Sequence, residues 1–221
     1  MFRTDSILPP TPEGLEILHD REYRVRAYRK ASDRLLIQGG VRDQKPPGLY
    51  MTDDPDPMTI HHMLLSLEIS FPHLEIVDVT VDFEAHPTAS CPSIIEHYGN
   101  LVGLSIARGF THKVRELFGG PRGCTHTTAL LQAMAPVAMQ CFWSMRAAEA
   151  NLKGEPNPIS GRDRTKDDDG WKRIIGTCHV WDPDGPHVAA RMQGMPEEPP
   201  LFLSGRLGEL AAEQEPGHKN C

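Results

Sequence analysis

The chain has 221 residues, of which 39% are hydrophobic and 24% charged, a balance that excludes disorder throughout and suits one folded domain with a long embellishment. Its net charge of −7 excludes the basic stripe of a nucleic-acid binder. No apolar run approaches the ~18 residues of a membrane span, and the opening residues carry no apolar targeting segment, so the cytoplasm is the expected compartment.

Residues 1–20 are Pro-rich and read as an extended lead-in to a domain over 21–195. Between Glu22 and Lys30 the pattern alternates, with Tyr23, Val25 and Ala27 on one face and Arg24 and Arg26 on the other, which predicts a strand. Ser32-Asp33 turns it back into a second strand, LLIQGGVRD, and the pair forms a hairpin. A loop through Pro46, Pro47 and Gly48 leads to a third strand, MTIHHMLLSLEISF. The clearest strand follows, LEIVDVTVDFEAH, where Ile76, Val79, Val81 and Phe83 are interleaved with acids and threonine.

The period then changes. Ile94, Ile95, Leu101, Leu104, Ile106, Phe110, Val114 and Leu117 recur at threes and fours, which predicts two helices broken near Gly99 or Gly109. Gly119-Gly120-Pro121 ends them. A long helix starts at Thr125 and carries Pro136 inside it, where a kink is expected. Residues 151–170 are polar and read as a surface insertion. WKRIIGTCHVWDPDG reads as a last short strand, and 196–221 as a tail with a short helix near 203–213. The predicted architecture is α+β: a four-stranded antiparallel sheet followed by helices packed on one of its faces.

An odd count of five cysteines argues against a disulfide framework. Thiols and imidazoles collect at breaks between elements: His61-His62, Cys91, Cys124-Thr-His126 and Cys178-His179. Cys124 and His126 are two residues apart, a spacing that diverges on a regular helix but converges just before its first turn. The positive end of the helix favours a thiolate there, the form needed by a nucleophile or a metal ligand. On a strand, His61 and His62 alternate, one toward the helices and one toward solvent. Cys141, mid-helix among Met139, Phe142 and Met145, is expected in the core. Arg24 and Arg26 share a face and can hold a carboxylate or phenolate, or form a solvated face of the sheet. Asp43 follows a strand and can orient a histidine or form a turn.

These blocks resemble a bacterial family known only as a domain of unknown function. The resemblance rests on Asp43-x-Lys45-Pro46, Ile60-His61, Cys91, Leu101 through Gly109-Phe110, the Gly-Gly-x-x-Gly-Cys-Thr-His block at 119–126, and Cys178-His179. It spans roughly residues 20–195 and implies no activity. More distantly, the order of elements is similar to the NifU/IscU-like iron–sulfur scaffold fold. That similarity implies ligands at His61, Cys91, Cys124 and His126, a mixed nitrogen and sulfur set that suits zinc better than a labile cluster.

Two functions are expected. One is a small-molecule enzyme: a pocket lined by His61, His62, His126, Arg24, Arg26 and Asp43 performing acid/base or metal-assisted lyase chemistry, with C–C or C–O cleavage and release of an aldehyde from an aromatic catabolite. The aromatic guess rests on the apolar helix residues Met134, Met139, Phe142 and Trp143 and on the cationic strand. The other is a zinc or iron–sulfur binding scaffold without turnover. Expected partners are a small-molecule substrate, with neither nucleic acid nor membrane, and a homodimer is the assembly allowed for.

Overall fold

A computed structural model describes residues 6–107, 109–159, 169–195 and 200–214 of the chain. The start of the lead-in (1–5), most of the polar insertion (160–168) and parts of the tail (196–199 and 215–221, with Cys221) lie outside the described residues. The chain divides into two compact units, residues 1–145 and 146–221.

The first unit is built on a four-stranded antiparallel sheet in sequential order: β1 (Asp20–Ala31), β2 (Arg34–Lys45), β3 (Met58–Ser70) and β4 (Ile76–Ala85). Alternation in each strand sorts the side chains to two faces. The inward face carries Leu35, Ile37 and Val41 of β2 and Met63, Leu65, Leu67 and Ile69 of β3, all at most 2% exposed. The other face is mostly polar, with Leu36 and Leu64 among its charged and polar residues.

Helices follow: a run of 3-10 turns (Cys91–Leu101), α1 (Phe110–Phe118) and α2 (Thr125–Lys153), within which the boundary between the units falls. Sequence spacing marks 91–101 as an α-helix, but it winds as 3-10. Pro92 opens it, and the Ser93 hydroxyl and Asn100 amide donate to carbonyls three residues back (Ser90 at 2.8 Å, His97 at 2.8 Å); such local bonds compete with the i→i−4 ladder.

Leu130, Leu131, Met134, Ala138 and Cys141 of α2 join the strand residues in one buried cluster. Burial pushes the Cys141 thiol pKa up. Close seating of the helix depends on Gly39: a Cβ there would stand 2.8 Å from Met134 Sδ and 3.0 Å from Leu130 Cδ1. Met134 (0% exposed) and Phe142 (5%) are therefore core packing rather than the wall of a substrate site.

The second unit holds the end of α2, 3-10 turns at Asp169–Ile174 and His179–Trp181, α3 (Pro186–Met192) and α4 (Leu201–Gln214). The expected strand over WKRIIGTCHVWDPDG is absent among the described residues. Its backbone is satisfied locally instead. Gly176 N–H donates to the Trp181 carbonyl at 2.7 Å, and the Thr177 hydroxyl donates to the Ile174 carbonyl at 2.6 Å. Trp181 meets Trp171 and the His187 ring, and Arg191 lies over Trp171.

A candidate carboxylate–imidazole centre

The strand register brings Arg21, Asp43 and His61 into one row. Arg21 pairs with Asp43 across β1 and β2, and Asp43 with His61 across β2 and β3. The register shifts just beyond Asp43, between it and Gln44, before pairing resumes at Gln44 with Thr59 and Lys45 with Met58; bulges commonly re-aim side chains beside functional sites. The row lies on the inward face, past the apolar core. His126, in the first turn of α2, comes down on it.

Asp43 is the hub, with its side chain 1% exposed. Arg21 donates to both of its oxygens, Nε to Oδ1 at 2.5 Å and a terminal nitrogen to Oδ2 at 2.6 Å. Oδ2 also hydrogen-bonds His61 Nδ1 at 3.1 Å and lies within ion-pair distance of His126 Nε2, also at 3.1 Å. His19 Nε2 stands 3.4 Å from Oδ1. The rings of His61 and His126 stack with centroids 3.8 Å apart and planes 29° from parallel. The far nitrogen of His126, Nδ1, faces Cys124 Sγ at 3.7 Å.

The electrostatics follow from this geometry. Burial alone would raise the Asp43 pKa, but the Arg21 hydrogen bonds and charge, with His126 and His19, bring it down to about 2. The Arg21 guanidinium is driven further toward its charged form, chiefly by its bond to Asp43. Burial, and then the charge of His61, lower the His126 pKa; the pull of Asp43 only partly offsets them. The centre therefore holds a fixed carboxylate, a fixed guanidinium and an imidazole biased toward neutrality.

The approach to His126 is rigid. Gly123 is extended (φ −160°), and a Cβ there would sit 2.4 Å from the Phe118 carbonyl oxygen. The next residue is clamped by the buried Tyr98, whose hydroxyl accepts from Cys124 N–H at 2.8 Å and donates to the Cys124 carbonyl at 3.4 Å. Tyr98 is stacked on Phe118 (4.8 Å). Tyr98→Phe leaves that N–H buried without its partner and is expected to lower unfolding stability by about 1–2 kcal/mol, read as a lower urea midpoint at unchanged slope.

Of the residues singled out in the sequence, Asp43, His61, His126 and Cys124 gather here. His62 points the other way and meets Glu84 Oε2 at 2.8 Å. Arg24 and Arg26 stand on the outer face with it, not in a common pocket with His61. Cys91 Sγ contacts Thr88 Oγ1 at 3.2 Å. Cys178 and His179 are exposed in the second unit. Sequence reasoning missed Arg21, which joins the centre through the cross-strand register, and His19, which reaches Asp43 from the residue just before β1.

Three of the gathered residues could hold a metal ion. One donor atom each from Asp43, His61 and His126 lies within 4.8 Å of the others. The 3.1 Å oxygen-to-nitrogen spacings suit an ion bonded at about 2.0–2.2 Å. Two imidazoles and a carboxylate form a donor set known for zinc and for other first-row metals. The residues therefore fit such an ion, with ligands Asp43, His61 and His126 rather than the cysteine-bearing set the sequence suggested.

These features define a class: an α+β protein with a buried carboxylate–imidazole centre between the end of a sheet and the start of a helix. The chain belongs to the family described as "Protein of unknown function (DUF2889)", whose model matches residues 19–140. The match spans every member of the centre, from His19 to His126. No curated protein and no solved structure matches the chain. Among the described residues, no helix is long and apolar enough to cross a membrane.

Proposed function

We propose that the protein is a lyase acting on a small molecule, with His61 and His126 as its proton-transfer groups and Asp43 as the residue that positions them. The supporting observation is the single buried Asp43 oxygen, Oδ2, that lies 3.1 Å from a nitrogen of each imidazole while Arg21 fixes the carboxylate. A carboxylate used only as a structural ion-pair partner would not need two stacked histidines. Asp43 holds one nitrogen of each ring, and the second nitrogen of His126 faces the Cys124 thiol at 3.7 Å. Positioned proton transfer of this kind contributes typically 10²–10⁴-fold to a rate.

In the reaction, a ring nitrogen takes the proton of a substrate hydroxyl. The adjacent C–C bond breaks to leave an aldehyde, and the electron pair passes into a carbonyl or ring conjugated with the departing carbon. The proton is then returned to that carbon. A zinc ion on Asp43, His61 and His126 would supply Lewis-acid polarisation of the substrate oxygen. The substrate class to test first is an aromatic catabolite bearing a hydroxylated side chain, in the cytoplasm. The alternative, a cluster scaffold without turnover, is less well supported: the converging donors are nitrogen and oxygen, whereas iron–sulfur clusters are held by thiolates.

The test is aldehyde release from a panel of phenols whose side chains carry a hydroxyl β to a carbonyl, run on protein as purified, after chelation and after zinc addition. Release by the wild type, reduced at least 100-fold in His126→Ala and His61→Ala, is the expected result. Loss on chelation and recovery with zinc assigns the metal-assisted form, and indifference to both assigns proton transfer alone. No release from any member, or release untouched by both substitutions, ends the reading.

A further inference from the structure

The outer face of the same sheet carries a cleft separate from that centre. A cleft of about 470 Å³, within the usual size range of small-ligand sites, is lined by Arg24, Arg26, Tyr28, Gln38, Arg42 and His62. Its floor is low at Gly40, which projects no side chain, and Leu64 lies beside it. The charge is lopsided: three guanidiniums face one carboxylate, Glu22, which binds Arg24 at 2.6 Å and Arg42 at 3.0 Å. Arg26 makes no ion pair among the described residues. The chain as a whole is at −7, so this is a local reversal of sign.

We propose that this cleft binds a small ligand through an oxyanion group, a carboxylate or a phosphate. Arginine forks match either group with paired N–H donors. Arg26 supplies the free fork, Arg42 and Arg24 exchange part of their Glu22 bonding for the ligand, and Tyr28 and Gln38 offer hydrogen bonds beside them. Leu64 gives the body of the ligand an apolar seat. The site stands apart from the lyase reading. Glu22, Arg42 and His62 line the cleft, and their chain neighbours Arg21, Asp43 and His61 build the inward centre. The two sites are back to back and share strands but no residue.

The experiment is isothermal titration calorimetry of the full chain with inorganic phosphate and, separately, with benzoate, at low ionic strength. One site per chain is expected for at least one probe, and which probe binds tells phosphate from carboxylate. Arg26→Gln combined with Arg42→Gln should weaken binding at least tenfold. Lys113→Gln with Lys153→Gln removes the same charge elsewhere and should leave it within twofold. The arginines are exposed and their replacement is expected to leave the far-UV spectrum unchanged. If the double variant does not fold, the wild-type arginine Nε–H resonances give a second reading, since those of Arg24, Arg26 and Arg42 must shift on addition of the probe. Failure of both probes to bind at millimolar concentration, equal weakening in the lysine control, or unmoved arginine resonances would overturn the proposal.

Discussion

Asp43→Asn is expected to remove the centre's organising charge and about 2–3 kcal/mol of stability. The replacement keeps the shape of the side chain, but its amide nitrogen now faces donors. Arg21, about a third exposed, loses its partner on both nitrogens, and His61 and His126 lose the acceptor that orients them. Breaking a fully buried pair costs about 3–5 kcal/mol; the partial exposure of Arg21 brings the figure down. For a protein of this size the drop corresponds to roughly 5–10 °C in melting temperature. The loss also depends on pH. Asp43 titrates at about 2 in the folded protein against 3.8 ordinarily. A lowered carboxyl pKa contributes stability that is present above the unfolded value and disappears as pH falls through the folded one. Its contribution is therefore lost between roughly pH 4 and 2. His126, held below its ordinary 6.5, adds an earlier loss beginning below that value, because the unfolded chain takes up the proton first. Thermal melts from pH 8 to 2.5 should show the wild type falling in both ranges, and the variant starting lower and losing the steep fall below pH 4. Equal melting temperatures at neutral pH would show that Asp43 does not tie the elements together.

Gly123→Ala is the second large effect, and it acts through geometry. The added carbon would lie 2.4 Å from the Phe118 carbonyl oxygen and 2.9 Å from Phe118 Cβ. Neither neighbour is the free end of a flexible chain, so the backbone must move. The movement is passed directly to Cys124 and His126 at the start of α2. Overpacking of this kind typically costs 1–3 kcal/mol, and a site displaced by about 1 Å loses on the order of 10² in rate. The urea midpoint should fall, and with it, on the function proposed above, aldehyde release and any affinity for zinc. A variant with wild-type zinc affinity and a wild-type midpoint would mean that this glycine does not position His126.

Much of the fold was legible because its signals are local. The alternation of Ile76 to Phe83 and the turn at Ser32-Asp33 needed no knowledge of the rest of the chain. The centre was legible only in part, and β1 explains why. Alternation turns Val25 and Ala27 inward on β1, and Ile37, Val41 and Asp43 inward on β2. A regular hairpin continued from the Ala31–Arg34 pair would set Asp43 opposite Glu22 and put Arg24 and Arg26 on its face. The register instead slips at Lys30, between Arg29 and Ala31. A slip of one residue exchanges the faces, so Arg21 meets Asp43 while Arg24 and Arg26 turn outward. Nothing in the composition around Lys30 signals that bulge. The 3-10 turns at 91–101 and 169–174 were misread for a related reason: side-chain hydrogen bonds and aromatic contacts, not periodicity, decide their winding.

The sharing of Asp43 Oδ2 ties its two neighbours to each other. His61 Nδ1 and His126 Nε2 both stand 3.1 Å from that one oxygen, and the two rings are stacked. Removing either ring therefore disturbs the contact that holds the other, so the stability losses of His61→Ala and His126→Ala should not sum in the double variant.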